Sequence, residues 1–206
     1  MPSDTPLILG FDTSAAHCAA ALLSGDTIVA VAAEEMARGQ GERIMVLLEE
    51  VLSQGGVGWA ALSALGVGSG PGNFTGIRIS VSAARGLALG LGIPAVGVTG
   101  FEARTYGMSL PATALISAPR DEVYRQDVNK NGAQSPQVQP RDIAQSEAVK
   151  LGHTLVPDIT PAKLAENIAF VAKGAWKNVL LPPAPLYIRA ADAAPPRDAP
   201  PVMIDE

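Results

Sequence analysis

Cysteine is almost missing from this 206-residue chain. Cys18 stands alone, which excludes an internal disulfide and a zinc site built from cysteines. Aromatic residues make up only 4% of the chain against 48% hydrophobic overall, so the core must be built from Ala, Val, Leu and Ile. Cations are scarce too. The net charge is −5 and no lysine precedes Lys130, whereas a protein that grips a phosphate backbone alone carries a basic footprint. Any service to nucleic acid is therefore expected to run through a partner. The start, Met1 to Asp12, lacks a positive region followed by a long apolar run, and so does not read as a signal peptide. The uncharged stretch Gly86 to Phe101 is interrupted by Gly90, Gly92 and Pro94, against a membrane span. The expectation is a soluble, cytoplasmic protein.

What is present is strong patterning in the first half. Leu7 to Phe11 reads as a buried strand ending in Asp12-Thr13-Ser14. His17 to Leu23 and Thr27 to Ala33 follow as strands joined by the turn Ser24-Gly25-Asp26. From Glu42 the period changes: Ile44, Leu47, Leu48 and Val51 recur at i, i+3, i+4 and i+7, predicting an amphipathic helix that ends near Gly55-Gly56. Ala64 to Gly68 is a further strand, followed by a glycine-rich loop and a helix from about Thr75 to Leu89. In that helix Gly76, Ser80, Ala84 and Ala88 form a small-residue stripe suited to close backbone approach. Pro94 to Val98 is the next strand, so the order is βββ-α-β-α-β. Beyond Phe101 the pattern thins. Ala114 to Ser117 and Val123 to Val128 read as strands, with Asn129-Lys130-Asn131-Gly132 as a turn. Thr160-Pro161 opens a helix to about Asn178, with Leu164, Ile168, Val171 and Ala175 on one face. The Ala/Pro-rich stretch from Ala190 to Glu206 is expected to be disordered.

Few residues carry chemistry on spacing alone. Gly68-x-Gly70-x-Gly72 before a helix admits two readings: a phosphate loop of bare backbone N–H groups, or a tight turn that lets strand and helix pack closely. It has no Gly-Lys-Ser/Thr and is not a Walker loop. Asp12, Thr13 and Ser14 could face a metal-bound water or a phosphate; equally, Asp12 could cap a turn. His17 and His153 lack ligand spacing and read as structural or surface residues, and no serine sits in a GxSxG context. Arg78, Ser82, Arg85 and Leu89 share one helix face, which suits either a partner surface or a solvated one.

The run Gly68-Ser-Gly-Pro-Gly-Asn-Phe-Thr-Gly-Ile-Arg-Ile79 closely resembles the signature of the TsaB (YeaZ) family. Ile8-Leu-Gly-Phe-Asp-Thr-Ser14 is similar to that family's first strand and loop, and Gly41-Glu-Arg-Ile44 to its first helix start. Gly86 to Pro94 and Val96-Gly-Val98 continue the match. Glu122-Val-Tyr124 and Leu186-Tyr-Ile-Arg189 resemble later family segments. The likeness is dense from residue 7 to about 105 and thin but collinear to about 192.

This resemblance implies an α/β, actin-like ATPase fold (acetate kinase/hsp70/actin, ribonuclease H-like) with two subdomains, the second reduced. The expected division is residues 1–103, residues 104–189 with a final helix that packs back on the first unit, and the tail 190–206. It implies a non-catalytic scaffold in the synthesis of threonylcarbamoyladenosine (t6A) on tRNA. Such a scaffold pairs with the catalytic paralogue TsaD, helps recruit the ATPase TsaE, forms a homodimer when alone and meets tRNA only indirectly. Aligned with TsaD's metal-binding HxxxH pair are Gly100 and Arg104, neither of them a ligand, so no metal is expected. No cofactor of its own is implied, with ATP or ADP held only weakly or at a composite interface. The partner surface is expected on Arg43, Met45, Glu49, Leu52, Arg78, Ser82, Arg85 and Leu89. Degenerate phosphate loops would comprise Asp12, Thr13, Ser14, Gly70, Pro71, Gly72 and Asn73.

Two departures bear on this. Gln40-Gly41 stands where relatives usually carry His-Ser, and Ser117-Ala118-Pro119 where they present Asp-Ala-Arg. Both remove polar groups near nucleotide or partner contacts and weaken a claim to nucleotide binding alone. The rival from another class is an actin-like kinase or ATPase with Asp12 and the Gly70 to Gly76 loop at the phosphates. A peptidase reading has neither a metal pair nor a nucleophile behind it.

Overall fold

The computed structural model describes residues 5–188. The expected tail at 190–206 lies outside them. The first sheet holds β1 (Leu7–Asp12), β2 (His17–Ser24), β3 (Thr27–Glu35), β4 (Ala64–Gly68) and β5 (Ala95–Val98), in the order β3-β2-β1-β4-β5. The meander β1-β2-β3 is antiparallel, while β4 and β5 join β1 in parallel through helical crossovers. This is the βββ-α-β-α-β order that the hydrophobic pattern predicts.

Side-chain parity divides the sheet between two cores. Leu9, Phe11, Cys18, Ala20 and Leu22 face α1 (Gln40–Gln54) and α2 (Phe74–Leu91). Ile8, Leu23, Ala64 and Val98 face α5 (Pro161–Ala175), which crosses the opposite side. The shortage of aromatic residues has its structural counterpart here. A Cβ on Gly10 would lie 2.7 Å from the Ala165 carbonyl oxygen, and one on Gly66 would lie 2.7 Å from the Ala172 Cβ. The helix backbone rides directly on the sheet because both surfaces lack bulk. The buried side of α5 is Leu164, Ala165, Asn167, Ile168, Ala169 and Ala172, whereas the expected Val171 and Ala175 pack only at its margin. The helix also stops at Ala175, and Trp176–Asn178 continue as a 3-10 turn.

A second sheet gathers β6 (Ala112–Ser117), β7 (Glu122–Asn129), β8 (Gly132–Ala133), β9 (Gln137–Pro140) and β10 (Thr154–Leu155), with β6 and β7 as a hairpin. Its loop, residues 118–121, holds Arg120 and Asp121 at φ 64° and 58°, both in the left-handed region. One face, with Ala114, Ile116 and Tyr124, packs on Phe101. The other carries Thr113, Arg125 and Asp127, tied to Glu147 of α4 (Arg141–Lys150).

Two helices escaped the sequence reading. One is α3 (Gly100–Thr105), whose Thr99 and Glu102 form a reciprocal capping box; the other is α4. The first is too short to show a period, and the second buries only Ala144 and Ala148. Residue 103 lies inside α3, and α5, the final helix, packs on the first sheet.

Candidate functional site: the cleft between the sheets

The C-terminal ends of β1 and β4 meet at the edge of a cavity of about 880 Å³ that opens between the two sheets. Ser14, His17, Pro71, Gly72 and Asn73 line it from the first sheet's side. Ile116, Ser117, Ala118, Pro119 and Tyr124 line it from the second, with Arg104, Asp158 and the segment Leu186 to Ile188 completing the wall.

Asp12 is 1% exposed. Its Oδ2 accepts from the Ser14 backbone N–H and hydroxyl, both at 2.9 Å, and lies 2.6 Å from His17 Nε2. His17, expected to be a structural or surface residue, is buried and is the partner of the Asp12 carboxylate. The signal in the sequence was its even spacing with Ala19 and Ala21 along β2, which points all three to one side.

The glycine loop packs against the β1–β2 turn rather than standing clear of it. Cβ atoms on Gly72 and Gly76 would lie 2.2 Å from the Ser14 carbonyl oxygen and 1.9 Å from that of Thr13. The Asn73 N–H donates to the Ser14 carbonyl at 2.7 Å, and the Thr13 hydroxyl donates to the Gly76 carbonyl at 2.7 Å. Asn73 caps α2 by accepting from the Gly76 N–H at 2.9 Å, a bond of the kind worth about 1 kcal/mol. Gly70, at φ 95°, accepts the Gly100 N–H, and its peptide to Pro71 is cis. Of the expected phosphate-loop residues, Ser14, Pro71, Gly72 and Asn73 reach the cavity, while Asp12, Thr13 and Gly70 serve the turn behind it.

The expected partner residues fall into three groups. Met45, Glu49, Ser82, Arg85 and Leu89 are exposed on neighbouring helices, Leu89 at 86%. Arg78 is exposed and Arg43 half-buried, and both are already engaged. Arg43 bridges Glu34 and Glu50, whose carboxyls its hydrogen bonds hold below the usual range. Arg78 stacks 3.7 Å over the Phe74 ring and donates to the Tyr187 hydroxyl at 2.9 Å, clamping the chain's later segment to α2. Leu52 is a correction. It is 3% exposed, because its position on α1 turns it inward with Leu48 and Val51.

Among the described residues no group of three or more His, Cys, Asp or Glu side chains is placed to hold a metal ion. No described helix is long and apolar enough to cross a membrane.

Fold and cleft together define the class: an actin-like α/β protein of ribonuclease H-like topology, with a cavity where its two sheets meet. The family described as TsaD, tRNA N6-adenosine threonylcarbamoyltransferase, matches residues 29–184. The TsaB biosynthesis protein of Escherichia coli (strain K12) is 34% identical over 122 residues, 57% of this chain and 52% of that protein. The TsaB protein of Haemophilus influenzae is 31% identical over 134 residues, covering 62% and 56%. YeaZ from Pseudomonas aeruginosa superposes with a TM-score of 0.65 at 24% identity, over 89% of this chain and all of that one. The chain belongs to the family described as TsaD and is similar to TsaB biosynthesis proteins over part of its length. It spans about half the length of the curated relatives it matches.

Proposed function

We propose that this chain acts in t6A biosynthesis as a non-catalytic scaffold that pairs with TsaD, helps recruit TsaE, and meets tRNA only through the complex. The names of its relatives support the pathway. The observation that carries the scaffold role is the joint surface of α1 and α2. There Met45, Trp59, Ser82, Ala83, Gly86, Leu87, Gly90 and Leu91 surround a shallow apolar depression of about 550 Å³. Small residues on α2 let a facing helix approach closely, and the exposed Arg85 and Leu89 of the same helix add charge and apolar area. A helical face of this kind also suits a two-fold homodimer when TsaD is absent.

The test is co-expression with TsaD from the same genome, read by size exclusion with light scattering. A heterodimer is expected for the wild type and its loss for the double variant Arg85→Glu, Leu89→Asp. Arg78→Glu belongs in a separate sample, because it also releases the Phe74–Tyr187 clamp. No complex from folded wild-type protein would sink the reading. The kinase or ATPase alternative draws on the size of the cleft. Against it stands the inward hydrogen bonding of Asp12 and Thr13. Tight magnesium–nucleotide binding by the isolated chain would favour that alternative.

A further inference from the structure

Arg104 reaches the inter-sheet cavity from α3 without a partner to match its charge. Its Nε is buried and makes no hydrogen bond, and its Nη1 makes one long bond, 3.3 Å, to the Gly100 carbonyl. No carboxylate among the described residues comes within ion-pair distance of it, although Asp12 and Asp158 act on it from farther away. Burial works against the charged form and pushes its pKa below the ordinary arginine value, an effect those two carboxylates oppose.

A guanidinium remains protonated under nearly all conditions, so its desolvation must be answered by an acceptor. Neither Gly100 nor the aspartates provide a close one. The planar fork of N–H donors is complementary to a phosphate or carboxylate, which can accept two parallel bonds. Around it the cavity offers the Asn73 amide and the Ser117 hydroxyl, and an apolar wall of Ile116, Tyr124 and Leu186. A few convergent polar groups in a mostly apolar concavity is the usual make-up of a small-molecule site.

We propose that this cavity is an oxyanion site, in which Arg104 binds the phosphate or carboxylate of a small ligand whose apolar part rests against Ile116, Tyr124 and Leu186. The site is separate from the α1–α2 surface and does not depend on the scaffold role. It also needs no metal, because the arginine itself supplies the positive charge. Asp12 and Asp158 narrow the choice of ligand, since they repel an anion that does not reach the guanidinium.

The test uses the full chain, titrated by calorimetry with inorganic phosphate and, separately, with benzoate as a carboxylate on an apolar ring. Saturable binding of at least one is expected. Arg104→Gln should weaken it at least tenfold, Arg104→Lys should retain part of it, and the exposed control Arg38→Gln should leave it unchanged. Binding of phosphate alone would define the ligand as a phosphate ester, and binding of benzoate alone as a carboxylic acid. If the Arg104 variants do not fold, wild-type protein is treated with phenylglyoxal and its arginine peptides are followed by mass spectrometry. The bound anion should slow modification of Arg104 and leave Arg38 unaffected. The proposal is overturned if neither anion binds saturably, if Arg104→Gln binds as wild type does, or if neither anion protects Arg104.

Discussion

The Oδ1 of Asp12 lies 1.7 Å from the point that a Cβ on Gly68 would occupy. The carboxylate and the end of β4 thus share a space that only glycine leaves open. Gly72 and Gly76 repeat the arrangement four and eight residues later in the sequence, against the carbonyls of Ser14 and Thr13. The spacing of the glycine motif follows from this contact between the loop and the β1–β2 turn.

Gly68→Ala should therefore destabilise the fold by about 1–3 kcal/mol, the usual cost of overpacking a tight interior. The expected readout is a lower urea midpoint with an unchanged slope. Pairing it with Asp12→Ala should cost less than the sum of the two single changes, because the second removes the atom that the first strikes. Additive losses would show that the two residues do not compete for one space.

Asp127 predicts an acid-sensitive contribution from the second sheet. Burial opposes its ionisation, but hydrogen bonds from Arg125 and Thr113, with the charges of Arg125 and His153, outweigh burial and hold its pKa below the ordinary 3.8. A depressed carboxyl stabilises the fold fully above its unfolded value and loses that contribution as pH falls through the native one. Asp127→Asn should therefore cost roughly 1.5–3 kcal/mol at pH 6, the range for hydrogen bonds to charged groups. The gap between variant and wild type should narrow below pH 3.8 in denaturant titrations. A gap of the same size at pH 3 would contradict the assignment.

Cys18 is fully buried, and its thiol is pushed up to about 11, by burial first and then by the charge of Glu34. At pH 8 it should carry roughly a hundredfold less thiolate than a free cysteine. Ellman's reagent should then react with native protein only as fast as the sheet opens, and at once in denaturant. Because the native pKa is raised, the associated stability is complete below the ordinary value of 9.0 and declines as pH climbs beyond it. Rapid labelling of the folded chain would contradict this placement.

Much of the first sheet was legible because each strand buries one or both faces, so its apolar residues recur at period two or as short runs: Leu7 to Phe11, His17 to Leu23, Ala64 to Gly68. The helix from Gln40 to Gln54 announced itself by the same rule at period 3.6. Local sequence also marked the start of α5, where Thr160 caps and Pro161 follows. By contrast, α4 rests on two alanines and an ion-paired glutamate, a pattern too sparse for any period to reveal.

The cleft is another matter. Asp12 and Ser14 were visible as polar residues at a strand end, yet which atoms they bond was not, since His17 reaches Asp12 only because β2 folds back on β1. Leu52 and Arg78 show the same limit. Helical spacing places a side chain on a face, but whether that face meets solvent, core or another ring depends on what packs beside it. Sequence alone determined the elements whose signals are local: alternation, caps, turns and the glycine motif. Tertiary structure alone decided that Arg104, Tyr124, Asp158 and Leu186 share one cavity, because contacts between residues so far apart in the chain exist only once both sheets have formed.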